Sequence, residues 1–189
     1  MADRDQVEAV AARVLARRPR IDLLVNNAGV GARSGFLDAD PERIEAVVRT
    51  NYLGSVWTLR AFLPGLGPGS HVVNVVSVAG TVAIGPYSAS KHAQLAFSRT
   101  IAVELAPRGI SVHTVNPGFV ETPGFPQATR FGPLLSRLVV DAPFVAARIL
   151  EAVEHDRREI FVPRWYRPAA WAQALFPAAF ARARARLAR

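Results

Sequence analysis

Tyr87 and Lys91 are four residues apart, and Lys91 is the single lysine of a chain with 22 arginines. On a helix that spacing puts both side chains on one face, about one turn apart. A free phenol has a pKa near 10 and is a poor acid or base at neutral pH. A neighbouring ammonium favours the phenolate and should lower that pKa, turning an inert phenol into a general acid or base. The same pattern also occurs as a surface tyrosine beside a solvated lysine. The composition argues against that here. Arginine is the default cation of this chain, so a lone lysine marks a place that needs a compact, rotatable donor.

Two further polar residues stand out by position. Ser77 ends a valine-rich run over residues 71–76, and parallel α/β sheets hold ligands just beyond the carboxyl ends of their strands. On position alone it is equally well an ordinary serine starting a loop. Asn51 continues the stripe of Ile44, Val47 and Val48, so it points inward, where an amide needs partners. It is equally well a satisfied structural amide.

The elements that must carry these residues follow from periodicity. Val7, Val10, Ala11, Val14 and Leu15 recur at helical spacing. Residues 21–25 read as a buried strand ended by Asn26, Asn27, Ala28 and Gly29. Asp40, Pro41 and Glu42 form a helix start. A strand over 71–76, a long helix opened by Pro86-Tyr87 and running to about Ala106, and a strand over 110–115 come next, the last stopped by Asn116, Pro117 and Gly118. A helix near Ala142–Glu154 and a strand at Glu159–Val162 close the series. Alternating strands and helices predict an α/β fold with a parallel sheet. It occupies residues 1–163, with 164–189 as an Arg/Ala-rich aromatic tail.

Composition removes several function classes. A chain of 189 residues fits one domain. The absence of cysteine excludes a disulfide scaffold, a thiolate metal site and a cysteine nucleophile, and no metal site is expected. The polar N-terminus is not a signal peptide and no apolar run reaches about 18 residues, which is compatible with a cytoplasmic protein. Of the net charge of +8, residues 155–189 carry +6, from eight arginines against Asp156 and Glu159. A nucleic-acid protein would carry its basic face on the folded body, so no nucleic-acid partner is expected. A helix after Pro177 would put Phe180, Ala183 and Leu187 on one face and Arg182, Arg186 and Arg189 on the other. That suits an anionic membrane surface, or equally packing on its own domain or a partner subunit.

Taken together, these residues resemble the short-chain dehydrogenase/reductase family. The motifs, in order, are Asn26-Asn27-Ala28-Gly29 after a strand, Asn51 and Gly54, Ser77, Tyr87 with Lys91, and Pro117-Gly118 followed by Val120 and Thr122. The resemblance runs to about Val162 and implies a Rossmann-like, doubly wound parallel sheet. It implies that Tyr87 passes a proton to or from the substrate oxygen and that Ser77 hydrogen-bonds that oxygen. Lys91 would lower the Tyr87 pKa and bind the nicotinamide ribose, and Asn51 would hold a water relaying protons to Lys91. Asn26, Ala28, Gly29, Pro117, Gly118, Val120 and Thr122, with Tyr87 and Lys91, would line the site of NAD or NADP. The reaction implied is hydride transfer between an alcohol and a ketone, in a dimer or tetramer. Phe119, Phe125, Phe131, Leu134 and Leu135 hint at an apolar substrate.

The chain departs from the family pattern at two places. The family opens with a strand and a Gly-rich turn that seats the pyrophosphate on a helix N-terminus, and no such segment is present. Gly29, Gly31 and Gly35 do not replace it, because the next helix starts several residues later. Met1, Ala2 and Asp3 resemble the end of the family's third-strand segment. The expectation is therefore an N-terminally truncated sheet with the first three strands missing, a shortened reading of a longer protein. The strand over 21–25 would then be an exposed apolar edge. The alternative is a non-catalytic fragment or scaffold that cannot bind a dinucleotide. The second departure is smaller: the ten-residue interval from Ser77 to Tyr87 is shorter than is common in the family, a surface-loop change that is usually tolerated.

Overall fold

Residues 1–32, 35–122 and 138–187 are described by a computed structural model. In chain order the strands are β1 (Leu23–Asn26), β2 (His71–Val75), β3 (Ser111–Pro117), β4 (Val120–Glu121), β5 (Val140–Asp141) and β6 (Glu159–Val162). The helices are α1 (Arg4–Arg17), α2 (Pro41–Val48), α3 (Gly54–Phe62), α4 (Pro86–Leu105), α5 (Ala142–Glu154), α6 (Tyr166–Leu175) and α7 (Pro177–Leu187). Four strands form one parallel sheet in the order β1-β2-β3-β6. β4 and β5 pair separately.

Alternation along each strand sends neighbouring residues to opposite faces. Leu24, Val72 and Val112 pack on one face against Leu59 of α3 and Ile101 and Leu105 of α4. Val73, Val115 and Val162 pack on the other against Val145 of α5. Strands covered on both faces read as continuous apolar runs, which is why 71–76 carries so much valine. Helices on both faces of a parallel sheet confirm the doubly wound α/β class expected from the sequence.

The element boundaries shifted where a long-range bond intervened. Ile21 is not in β1: its N–H donates to the Gly65 carbonyl at 2.9 Å and its own carbonyl accepts from Ser70 Oγ at 2.7 Å. β3 runs on to Pro117 because it pairs with β6 there, Pro117 opposite Val162. Three features were not anticipated: a π-helical turn at Arg49–Leu53, helix α6, and the β4–β5 pair. α6 packs on β6 and on the Val78–Thr81 turn, so the first part of the expected tail is built into the fold. In α7, Phe180 is half-buried and Ala183 exposed.

β1 is the edge of the sheet. Leu23 and Val25 on its α5-side face are 42% and 43% exposed, and among the described residues no strand pairs with its outer side. This is the apolar edge that the sequence led us to expect.

Candidate active site

Ser77, Tyr87 and Lys91 meet at the carboxyl ends of β2 and β3. Pro86 in the first turn starts α4, since its fixed φ suits that position and it has no N–H to leave unpaired. Tyr87 and Lys91 follow one turn apart, and Lys91 Nζ lies 5.9 Å from the Tyr87 ring centroid. Ser77 leaves β2 in extended backbone and caps the Val78–Thr81 turn, its Oγ accepting from the Ala79 N–H at 3.1 Å. The Ser77 hydroxyl lies near enough to the Tyr87 phenol to act on its ionisation, while its Oγ also faces the Pro117 carbonyl at 3.4 Å. Gly80 lets this turn lie directly on α4, because a Cβ there would sit 2.8 Å from the Lys91 carbonyl oxygen.

Lys91 is buried, and its ammonium donates to the Val75 carbonyl at 3.0 Å and to Gln94 Oε1 at 2.8 Å. Burial disfavours the charged form and pushes its pKa down to about 7. The Tyr87 phenol moves the opposite way from our expectation. Burial pushes its pKa up, and the Ser77 hydroxyl opposes this only in part. The phenolate would be a charge in a desolvated site, and burial outweighs what its neighbours offer it.

The Asn51 side chain is fully engaged with protein. Its Oδ1 accepts from the Val30 N–H at 2.8 Å, and its Nδ2 donates to the Val30 carbonyl and to Ser90 Oγ, each at 3.0 Å. Both amide protons are used on protein acceptors, so the side chain clamps the loop after β1 onto α4. Asn51 lies in the π-helical turn, a distortion frequent at functional sites. Ser90 in turn donates to the Tyr87 carbonyl at 2.7 Å, tying the clamp to the first turn of α4.

The other expected site residues divide. Ala28 and Gly29 are exposed on the loop after β1, and a Cβ on Gly29 would lie 3.3 Å from Asn51 Oδ1 and 3.7 Å from Lys91 Nζ. Asn26 is a sheet residue: fully buried, it donates to Asn74 Oδ1 at 2.8 Å. Pro117 touches the site through its carbonyl, 3.4 Å from Ser77 Oγ. Gly118 is accounted for by packing, since the Tyr166 ring occupies the place its Cβ would take. Val120 pairs with Val140 and joins the α5-side core. Thr122 is half-buried. Phe119 is 39% exposed and meets Tyr166 edge-on, whereas Phe125, Phe131, Leu134 and Leu135 lie outside the described residues.

Sequence reasoning missed Ser55, Ser90 and Gln94, all buried around Lys91 and Asn51. A signal was available. Ser90 is three residues after Tyr87, Gln94 three after Lys91 and Ser55 four after Asn51, the spacings at which helical side chains are neighbours.

Comparisons with known proteins identify the family. The family model for short chain dehydrogenase matches residues 1–130. Dehydrogenase/reductase SDR family member 7B of Xenopus laevis is 38% identical over 127 residues, covering 65% of this chain and 39% of that protein. Estradiol 17-beta-dehydrogenase 11 of Pongo abelii is 31% identical over 175 residues, covering 86% of this chain and 55% of that protein. The chain thus spans between about two fifths and just over half of these relatives. A crystal structure of a short chain dehydrogenase from Burkholderia cenocepacia J2315 in complex with NADP superposes with a TM-score of 0.78 at 28% identity, over 95% of this chain and 73% of that one. The ordered motifs, the parallel sheet and the Ser77–Tyr87–Lys91 cluster converge on one conclusion: the chain belongs to the short chain dehydrogenase family.

Proposed function

We propose that this chain carries the proton-transfer site of an NAD(P)-dependent oxidoreductase that interconverts an alcohol and a ketone. The observation that carries the reading is the meeting of the Tyr87 phenol, the Ser77 hydroxyl and the buried Lys91 ammonium at the end of β2. With its pKa raised, Tyr87 keeps its proton at neutral pH and is suited to donate it to an oxygen gaining negative charge. Ser77, beside Tyr87 at the end of β2, would share that oxygen and stabilise the charge.

The residues fit the nicotinamide-ribose end of such a cofactor. Gly29 leaves space beside the Lys91 ammonium that a side chain would fill, and the loop carrying it is exposed. Lys91 Nζ and the backbone of Ala28 and Gly29 would hold the ribose hydroxyls. When bound, the dinucleotide supplies the hydride to the carbonyl carbon. The chain supplies the proton from Tyr87 Oη and keeps the substrate oxygen within reach of two hydroxyls.

The test is NADH and NADPH oxidation with a panel of apolar ketones, alongside fluorescence titration of each dinucleotide. Tyr87→Phe should lower kcat by at least about 100-fold with dinucleotide affinity little changed. Equal turnover by the variant would refute the role of Tyr87. A folded chain that binds neither dinucleotide would instead support a non-catalytic scaffold.

A further inference from the structure

Lys91 is held by more than the motif that identifies it. Of its two acceptors, the Val75 carbonyl belongs to the sheet, but Gln94 Oε1 belongs to a chain of side chains leading back to Asn51. Gln94 Nε2 donates to Ser55 Oγ at 2.9 Å, and Ser55 Oγ donates to the Asn51 carbonyl at 3.1 Å. Asn51, Ser55, Gln94 and Lys91 are 0%, 3%, 0% and 3% exposed, so each bond is made away from competing water.

The end of this chain fixes every direction along it. A carbonyl only accepts, so Ser55 must donate its one proton to Asn51. Ser55 Oγ then accepts from Gln94, which turns the Gln94 amide so that its oxygen faces Lys91. The reverse amide orientation would point two N–H groups at an ammonium and leave a buried acceptor without a donor, a costly arrangement. An amide does not pass a proton onward in its resting tautomer, so the arm holds the lysine and does not relay from it.

We propose that Gln94 and Ser55 are positioning residues for Lys91, an arm built from the Asn51 carbonyl that orients the ammonium and supplies its side-chain acceptor. This rests on the reading of Lys91 as part of a proton-transfer site. It also gives the Asn51 backbone a part separate from its side-chain clamp.

Because the chain has one lysine, lysine labelled with 13C at Cε gives one side-chain resonance, which reports Lys91 without any turnover. Its titration midpoint should rise by about one pH unit or more in Gln94→Glu, which places a carboxylate on the ammonium. It should fall by a comparable amount in Gln94→Leu, which removes the acceptor. Ser55→Ala should lower it by less, since the freed amide can turn over, and Ser55→Thr should restore it. Gln94→Glu is nearly isosteric, so the test survives if Gln94→Leu does not fold. Midpoints unchanged in folded Gln94→Glu would overturn the arm. Ketone reduction separates this from the catalytic reading. If the resonance shifts but the wild-type chain reduces no ketone, the arm stands and that reading falls. If the wild-type chain is active and the resonance does not shift, the arm falls alone.

Discussion

Around Lys91 the polar groups are deeply buried and partnered, whereas at β1 the apolar groups are wet and one polar atom is stranded. Asn51, Ser55, Gln94 and Lys91 are at most 3% exposed and bond to one another or to backbone. On β1, Leu23 and Val25 stay more than 40% exposed, while Asn26 is buried with its Oδ1 unpaired. A buried polar network is rigid when every member is satisfied, and a liability when one is not. The molecule therefore concentrates its satisfied polar contacts around Lys91 and Asn51. Among the described residues, β1 is paired on one side only, by its ladder to β2.

The largest test of this contrast is Asn51→Leu. It strands the half-buried Val30 N–H and carbonyl together with buried Ser90 Oγ, and should cost about 3 kcal/mol, the low end of roughly 1–3 for each of three groups, read from urea unfolding. A loss under about 1 kcal/mol would show that water replaces the clamp and would dissolve the contrast.

Next comes the pH dependence of stability set by Lys91. Its folded pKa of about 7 lies below the ordinary lysine value of 10.5. Between those values the folded chain has released a proton that the unfolded chain retains, so stability rises with pH across that window and levels off above it. Below 7 both states are protonated and the cost of the buried charge is fully present. The difference between wild type and Lys91→Met should shrink from pH 7 to 10.5, and a constant difference would mean that the ammonium is better solvated than its burial implies.

The smallest effect sharpens the other side of the comparison. Val73→Ala, in the core facing α5, should cost about 2 kcal/mol. The same change at Val25 should cost about 0.5 kcal/mol or less, as at other surface positions. Equal losses, growing with protein concentration, would show that β1 is covered by association in solution.

Much of the fold was legible because its signals are local. The cap of Asp141, whose carboxylate accepts from the Phe144 N–H at 2.8 Å, and Pro143 beside it mark the start of α5 in sequence as in structure. Valine runs mark β2 and β3. α6 was not legible: Pro168 sits inside it and its apolar residues make a weak stripe, so its place depends on packing against β6. Gly118 reads as a motif glycine in sequence, yet its need for no side chain comes from Tyr166, 48 residues later.

The sequence by itself determined which chemistry-bearing side chains share a helix face, Tyr87 with Lys91 above all, because spacing on a helix is a local property. Tertiary structure alone decided what those side chains meet. Asn51 reaches Val30 and Ser90 across 21 and 39 residues, and Lys91 reaches the Val75 carbonyl across 16. The direction of the Tyr87 shift was decided there as well. A pKa reports the cost of placing charge in a particular surrounding, and that surrounding exists only once distant segments have packed together.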